Sequence, residues 1–444
     1  MRFLNVMTSR LLVVLCTVLP GLFWPAAYAR NRPEFEVWLV DQSNTNGAAY
    51  GGALYIYDGG DLTGANPSAA LPTEVIDLGA DTSALCLAST GANAVRPHML
   101  VFNSTSSHAV LTFVASGHVV IFDARNRAPL ACFRTETGAG GARQAHAAWP
   151  TSDDRYLLVA NQNGKKLERI RTNYHHNRFV QEPAATLDLA SCTTPGGVPC
   201  ESTVLRPDNA PICPFVASDN GPAFVSLRGG GLFAVDWRMT PMTIVGEYDR
   251  DHVPANGCGF IEARGWVYGN GGGGTPANLD QFSVYRVPMK GFSRRNPPNF
   301  PTPQLLFDDP APERDAHGVA MTKHERFVWV GDRDGNVAEV FDGRTGAYVA
   351  TVDLVSSFSS DPTPDLFASS PDRKWIFAST RGPNPLSGDP HSSLGSDPGL
   401  LVIRVQHGGW TGDVRGLVSI SNVDATGIER ADAHGIRVRS CLRD

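Results

Sequence analysis

From Ala316 to Leu354 the chain alternates short apolar runs with polar turns in a pattern that no helix would produce. Gly318–Met321, Phe327–Gly331, Val337–Phe341 and Tyr348–Leu354 are rich in β-branched and aromatic residues. Between them lie Lys-His-Glu-Arg, Asp-Arg-Asp-Gly-Asn and Asp-Gly-Arg-Thr-Gly. Runs this short, punctuated by Asp-Gly and Thr-Gly, predict a four-stranded antiparallel meander, because glycine accepts the positive φ of tight hairpins. One meander cannot bury both of its faces, so it needs neighbours of the same shape.

Such neighbours recur along the chain. Seven innermost strands are predicted to open at His98, His146, Cys213, Cys258, His317, Asp365 and His434. The first six are each followed by a second strand, at Ala109, Tyr156, Ala223, Trp266, Phe327 and Trp375, at offsets of 11, 10, 10, 8, 10 and 10 residues. His434 has no second strand after it, because the sequence ends at Asp444. Its partners are expected at the other end, where Glu36-Val-Trp-Leu-Val, Ala53-Leu-Tyr-Ile-Tyr-Asp and Thr73-Glu-Val-Ile-Asp-Leu match the later strands of the 316–354 unit. The predicted architecture is all-β: seven blades of four strands, closed by N- and C-terminal strands in one blade, which protects the sheet edges.

The unit resembles YVTN and WD40 propeller blades of the exported bacterial type, through His317-Gly318, Phe327-Val-Trp-Val and Val349-Ala-Thr-Val. The resemblance implies a seven-bladed β-propeller. Activity does not follow from it, since many functions share such folds. Arg96-Pro97-His98 and Asp153-Asp-Arg-Tyr-Leu-Leu-Val-Ala-Asn161 also look like lactonase-type propeller repeats.

Residues 1–29 read as a secretory signal peptide, with Arg2 and Arg10 ahead of an apolar core and Ala27-Tyr28-Ala29 as a cleavage signal. The apolar run is short and contains proline, and Cys16 lacks the setting of a lipoprotein signal, so no stable membrane anchor is expected. Residues 30–444 form the single propeller domain, expected to be periplasmic or secreted. Glycine (45) and proline (32) are abundant, which suits repeated hairpins. A net charge of −6 without a basic stripe argues against a nucleic-acid partner.

Seven cysteines follow residue 29, an odd number, so at least one stays outside an intramolecular disulfide. Cys192 and Cys200 form the best local pair. The insertions at 190–210, 269–279, 290–303 and 382–398 are expected to be surface loops. Gly271-Gly-Gly-Gly274 lacks the Lys-Ser/Thr of a phosphate loop, and Asp332-Arg-Asp-Gly-Asn336 is a hairpin turn rather than a calcium loop. No Cys-x-x-Cys-His haem motif and no sialidase box is present. Asn103-Ser-Thr105 fits a glycosylation sequon but reads as a polar strand end.

The chemistry lies in the opening residues themselves. Equivalent positions on innermost strands form a ring around one mouth of the central channel. His98, His146, Cys213, Cys258, His317, Asp365 and His434 can each ligate a metal or transfer a proton, a set suited to zinc or copper. Three or four would be ligands, and Asp365 could orient a ligand histidine. The structural alternatives are histidines satisfied by backbone groups and a Cys213–Cys258 disulfide. The expected function is binding of a metal ion or small molecule at this mouth. A lactonase-like hydrolase or metal-dependent oxidoreductase is the enzymatic alternative, and a platform for a protein partner is the third.

Overall fold

The computed structural model describes residues 34–254, 257–272, 281–295, 299–386 and 394–441. The signal peptide assigned to residues 1–29, and parts of the 269–279, 290–303 and 382–398 insertions, lie outside the described residues.

Seven antiparallel sheets form a propeller. Blade 1 runs Pro97–Phe102, His108–Phe113, His118–Asp123 and Pro129–Arg134. Blade 2 opens with Ala145–Pro150, Tyr156–Asn161 and Lys166–Asn173. Its outer edge comes in two pieces, Arg178–Gln181 and Leu187–Asp188, both paired with Lys166–Asn173. Blades 3 to 6 begin at Pro211, Phe260, Ala316 and Pro364. Blade 7 joins the termini as expected: Ala433–Ser440 is innermost, and Phe35–Asp41, Ala53–Asp58 and Glu74–Asp77 follow outward. Trp38 stands opposite Arg437 on one side and Ile56 on the other.

Alternation along the strands supplies the cores between blades. Trp38, Val40, Leu54 and Ile56 of blade 7 pack on Leu100, Ala109, Leu111 and Val120 of blade 1, all fully or almost fully buried. Each large side chain buried in this way contributes about 1.5–3 kcal/mol. The same arrangement joins blades 5 and 6 through Trp329, Val340, Phe367 and Ile376.

Polar stitches draw the innermost strands together. A side chain on the second strand of one blade donates to a backbone carbonyl at the opening of the next. Thr112 Oγ1 reaches His146 O at 3.0 Å, Asn270 Nδ2 reaches His317 O at 2.5 Å, and Ser379 Oγ reaches His434 O at 2.6 Å. The approach is tightest after the opening residues. A Cβ on Gly318 would sit 2.5 Å from Asp365 O, and one on Gly435 would sit 2.4 Å from His98 O, so both positions require glycine.

The longest helix among the described residues departs from the all-β expectation. Leu78–Thr90 is a 13-residue helix between blades 7 and 1, capped by the Asp77 carboxylate, which accepts from the Gly79 and Ala80 amides, and ended by Gly91 at φ 73°. Its Cys86 bonds Cys132 on the outermost strand of blade 1. The hairpin at Asp332–Asn336 is a turn, as expected: Gly335 N donates to Asp332 Oδ1 at 3.0 Å, and Asn336 has φ 55°.

Candidate functional site at the channel mouth

The seven opening residues divide into two groups. His317, Asp365, His434, His98 and His146, from blades 5, 6, 7, 1 and 2, form a continuous arc. Cys213 and Cys258, from blades 3 and 4, occupy the rest of the ring as a disulfide. In that state neither sulfur is a thiolate, and the sequence alternative of a disulfide is the one observed. Ligand atoms of His146, Cys213 and Cys258 lie within 4.8 Å of one another, a trio that could hold a metal only with this disulfide reduced.

Within the arc the imidazoles nearly touch. His98 stacks on His434 with ring centroids 3.8 Å apart and planes 10° from parallel. His146 meets His98 edge-on, with Nε2 atoms 3.4 Å apart, and His317 lies 5.4 Å from His434 between centroids. His317 and His434 are 7% and 2% exposed, whereas His98 and His146 are half-buried.

Three Nδ1 atoms are committed to acceptors. His317 Nδ1 lies 2.7 Å from Asp365 Oδ1, and His434 Nδ1 lies 2.5 Å from Asp365 Oδ2. A carboxylate only accepts, so both Nδ1 atoms donate, and in a neutral ring it is Nε2 that keeps the lone pair. His98 is fixed in two steps. Asp432 Oδ2 accepts from Gln42 Nε2 at 2.8 Å, which turns Gln42 Oε1 toward His98 Nδ1 at 3.0 Å. His98 Nε2 therefore also carries its lone pair. The Nε2 of His434 is buried and meets no hydrogen-bond partner.

Beneath the imidazoles runs an alternating chain of buried charges. Arg333 joins Asp315 at 2.6 Å and Asp365 at 3.4 Å, and Arg381 joins Asp365 at 3.2 Å and Asp432 at 2.6 Å. Taken by themselves, these three carboxylates and two guanidiniums carry one net negative charge. Burial alone would raise the Asp365 carboxyl, but His434, Arg381 and His317 hold it well below the usual range. Burial pushes Asp315 up to about 6 against the pull of Arg333. Arg381 is raised because Asp432 and Asp365 outweigh its burial.

Three of the imidazoles, His98, His146 and His317, are shifted toward the neutral form. Burial, with His434 and His317 nearby, brings His146 down to about 3. Burial and the neighbouring His434 and His146 hold His98 well below its ordinary value. His317 is lowered by burial and by Arg333, with Asp365 acting in the opposite direction. Neutral imidazole is the form that donates a lone pair to a metal.

Gln42, Arg333, Arg381, Asp315 and Asp432 were not singled out from the sequence. A register signal was present. Gln42, Arg333 and Arg381 each follow the last residue of a second strand, Asp41, Asp332 and Thr380. Asp315 and Asp432 each stand two residues before an opening histidine.

No family model and no curated protein matches the chain. Solved structures do. The periplasmic gluconolactonase of Pseudomonas aeruginosa superposes with a TM-score of 0.55 at 14% identity, covering 92% of this chain and 100% of that one. A hypothetical selenium-binding protein from Sulfolobus tokodaii gives 0.55 at 9% identity, covering 93% and 95%. A functionally unknown protein from Desulfotomaculum acetoxidans gives 0.50 at 14%, covering 93% and 100%. At these identities the likeness is one of fold, and with the sheet topology it establishes a seven-bladed β-propeller.

Proposed function

We propose that this propeller binds a transition metal, zinc or copper, at the channel mouth through imidazole nitrogens of His98, His146, His317 and His434. The reading rests on one observation above others: Asp365 engages His317 and His434 through Nδ1, while the buried Nε2 of His434 has no partner. A carboxylate behind a ligand histidine fixes its tautomer and raises its basicity, which is the outer-shell arrangement of metal-binding histidines. The surplus negative charge below the cluster favours a cation. Imidazole nitrogens suit zinc and copper alike. Cys213 and Cys258 stay outside the proposed ligand set while they are bonded to each other.

The protein is read as an exported metal-binding or metal-delivery protein. Three disulfides, Cys86–Cys132, Cys192–Cys200 and Cys213–Cys258, are the chemistry of an oxidising compartment. No helix among the described residues is long and apolar enough to cross a membrane. Titration of the purified protein with zinc and with copper(II), in competition with a chelator of known affinity, tests the reading: saturable binding near one ion per chain supports it, and binding no tighter than to a histidine-free surface rejects it.

A second reading is a lactonase at the same mouth, favoured by the fold shared with the periplasmic gluconolactonase. Turnover separates the two. Hydrolysis of gluconolactone above the spontaneous rate, lost in His98→Gln, supports the enzyme.

A further inference from the structure

A second candidate site lies farther down the channel, beyond the imidazoles. A cavity of about 420 Å³ is lined by Met99, Trp149, Phe215, Phe260 and Leu366, with Arg437 among them. Arg437 is three residues beyond His434 on the same innermost strand, roughly 10 Å along it at the rise of a β-strand. The cavity is within the range of small-molecule sites, and its walls are mostly apolar.

Arg437 stacks over Trp149, its guanidinium carbon 5.2 Å from the ring centroid, and Nη1 reaches only the carbonyl of Ile436 at 3.3 Å. Among the described residues no carboxylate pairs with it. Burial lowers it to about 10. The other charged residues lining the cavity are already engaged. Glu262 accepts from the backbone and side chain of Ser218, and Arg373 donates to the carbonyl of Met321 and lies near Glu325. A guanidinium in an apolar cavity keeps most of its fork free for one bidentate acceptor.

We infer that this cavity binds a small monocarboxylate with an apolar or aromatic body, its carboxylate on Arg437 and its body against Trp149, Phe215 and Phe260. A monoanion fits better than a dianion. One guanidinium satisfies one carboxylate, and Glu262 on the lining would repel further negative charge. The site is separate from the imidazole cluster and does not depend on metal being bound there.

The test is calorimetric titration with phenylacetate and with 2-phenylethanol, a neutral molecule of similar size. Wild type should bind phenylacetate in a saturable 1:1 manner, roughly tenfold or more tighter than the alcohol. Arg437→Gln should lose that preference and keep the weak binding of the alcohol. A carboxylate bound instead to a metal at the mouth would be insensitive to R437Q, and that result would overturn the inference. Equal affinity of wild type for both probes would overturn it without any variant, as would no binding of either.

Discussion

His434 Nδ1 stands 2.5 Å from Asp365 Oδ2 while the opposite nitrogen of the same ring is buried without a partner. The carboxylate that orients this ring also orients His317 and is itself held between two guanidiniums, Arg333 and Arg381. Asp365 is thus the hinge of the site, linking histidines from two other blades to the charge network below them.

Replacing Asp365 by Asn should be costly at both levels. The carboxamide offers a single acceptor oxygen, so one of the two Nδ1 atoms would face an amide N–H and its ring would lose the orienting bond. Arg333 and Arg381 would keep Asp315 and Asp432 but lose their shared anion. Breaking a buried pair of this kind costs about 3–5 kcal/mol, and loss of the outer-shell carboxylate weakens metal binding about 10–100-fold. Chemical denaturation and chelator competition on D365N measure the two effects; a wild-type midpoint with wild-type affinity would remove Asp365 from its assigned role.

The depressed histidines set a direction for pH dependence. His146 stays neutral in the folded state down to about 3, whereas in the unfolded chain it protonates near its ordinary value of about 6.5. Between those limits the unfolded state binds the extra proton, so this residue's contribution to stability falls as pH falls. His146→Gln should therefore lose part of the acid sensitivity. The difference in melting temperature between variant and wild type should be flat above pH 7 and shift in the variant's favour from pH 6.5 towards 4. A difference that is constant over the whole range would contradict a His146 that stays neutral in the folded state.

Ring closure makes a truncation prediction. Ala433–Ser440 pairs with Phe35–Asp41 from Phe35↔Ser440 to Asp41↔Ala433. Deleting residues 429–444 strips the innermost strand from blade 7 and exposes the edge of Phe35–Asp41. The truncated chain should aggregate or lose its cooperative transition on heating; a soluble chain with an unchanged transition would refute the closure.

Disulfide mapping under non-reducing conditions should find Cys86 with Cys132, Cys192 with Cys200 and Cys213 with Cys258, leaving Cys441 as the free thiol of the described residues. Removing the first pair as a double alanine variant opens a 46-residue loop and should cost about 4 kcal/mol in the chain-entropy account. Cys192 or Cys200 joined to a distant partner would reject the local staple.

The seven openings were legible because one register repeats along the chain and the residues occupying it are conspicuous in chemistry. The local Cys192–Cys200 pair was legible from its spacing of 8 residues. The helix at Leu78–Thr90 was not, because the side it buries is formed by Leu78, Gly79, Thr82 and Cys86, a stripe in which glycine and threonine break the apolar period. Cys86–Cys132 went unseen with it, since only that helix carries Cys86 to the outer strand of blade 1. Gln42 was hidden for another reason: its partners Asp432 and His98 lie 390 and 56 residues away, and a lone glutamine after a strand has no local signature.

The most direct test of the metal reading is elemental analysis of the wild type and of the His317→Ala/His434→Ala double variant, each exposed to zinc or copper and then freed of loosely bound ion. The wild type should retain about one ion per chain, and the double variant, still folded by its melting transition, should retain none. Equal metal content and affinity in the two proteins, or no metal in a fully exposed wild type, would contradict the account and leave the channel mouth as structural scaffolding for a protein partner.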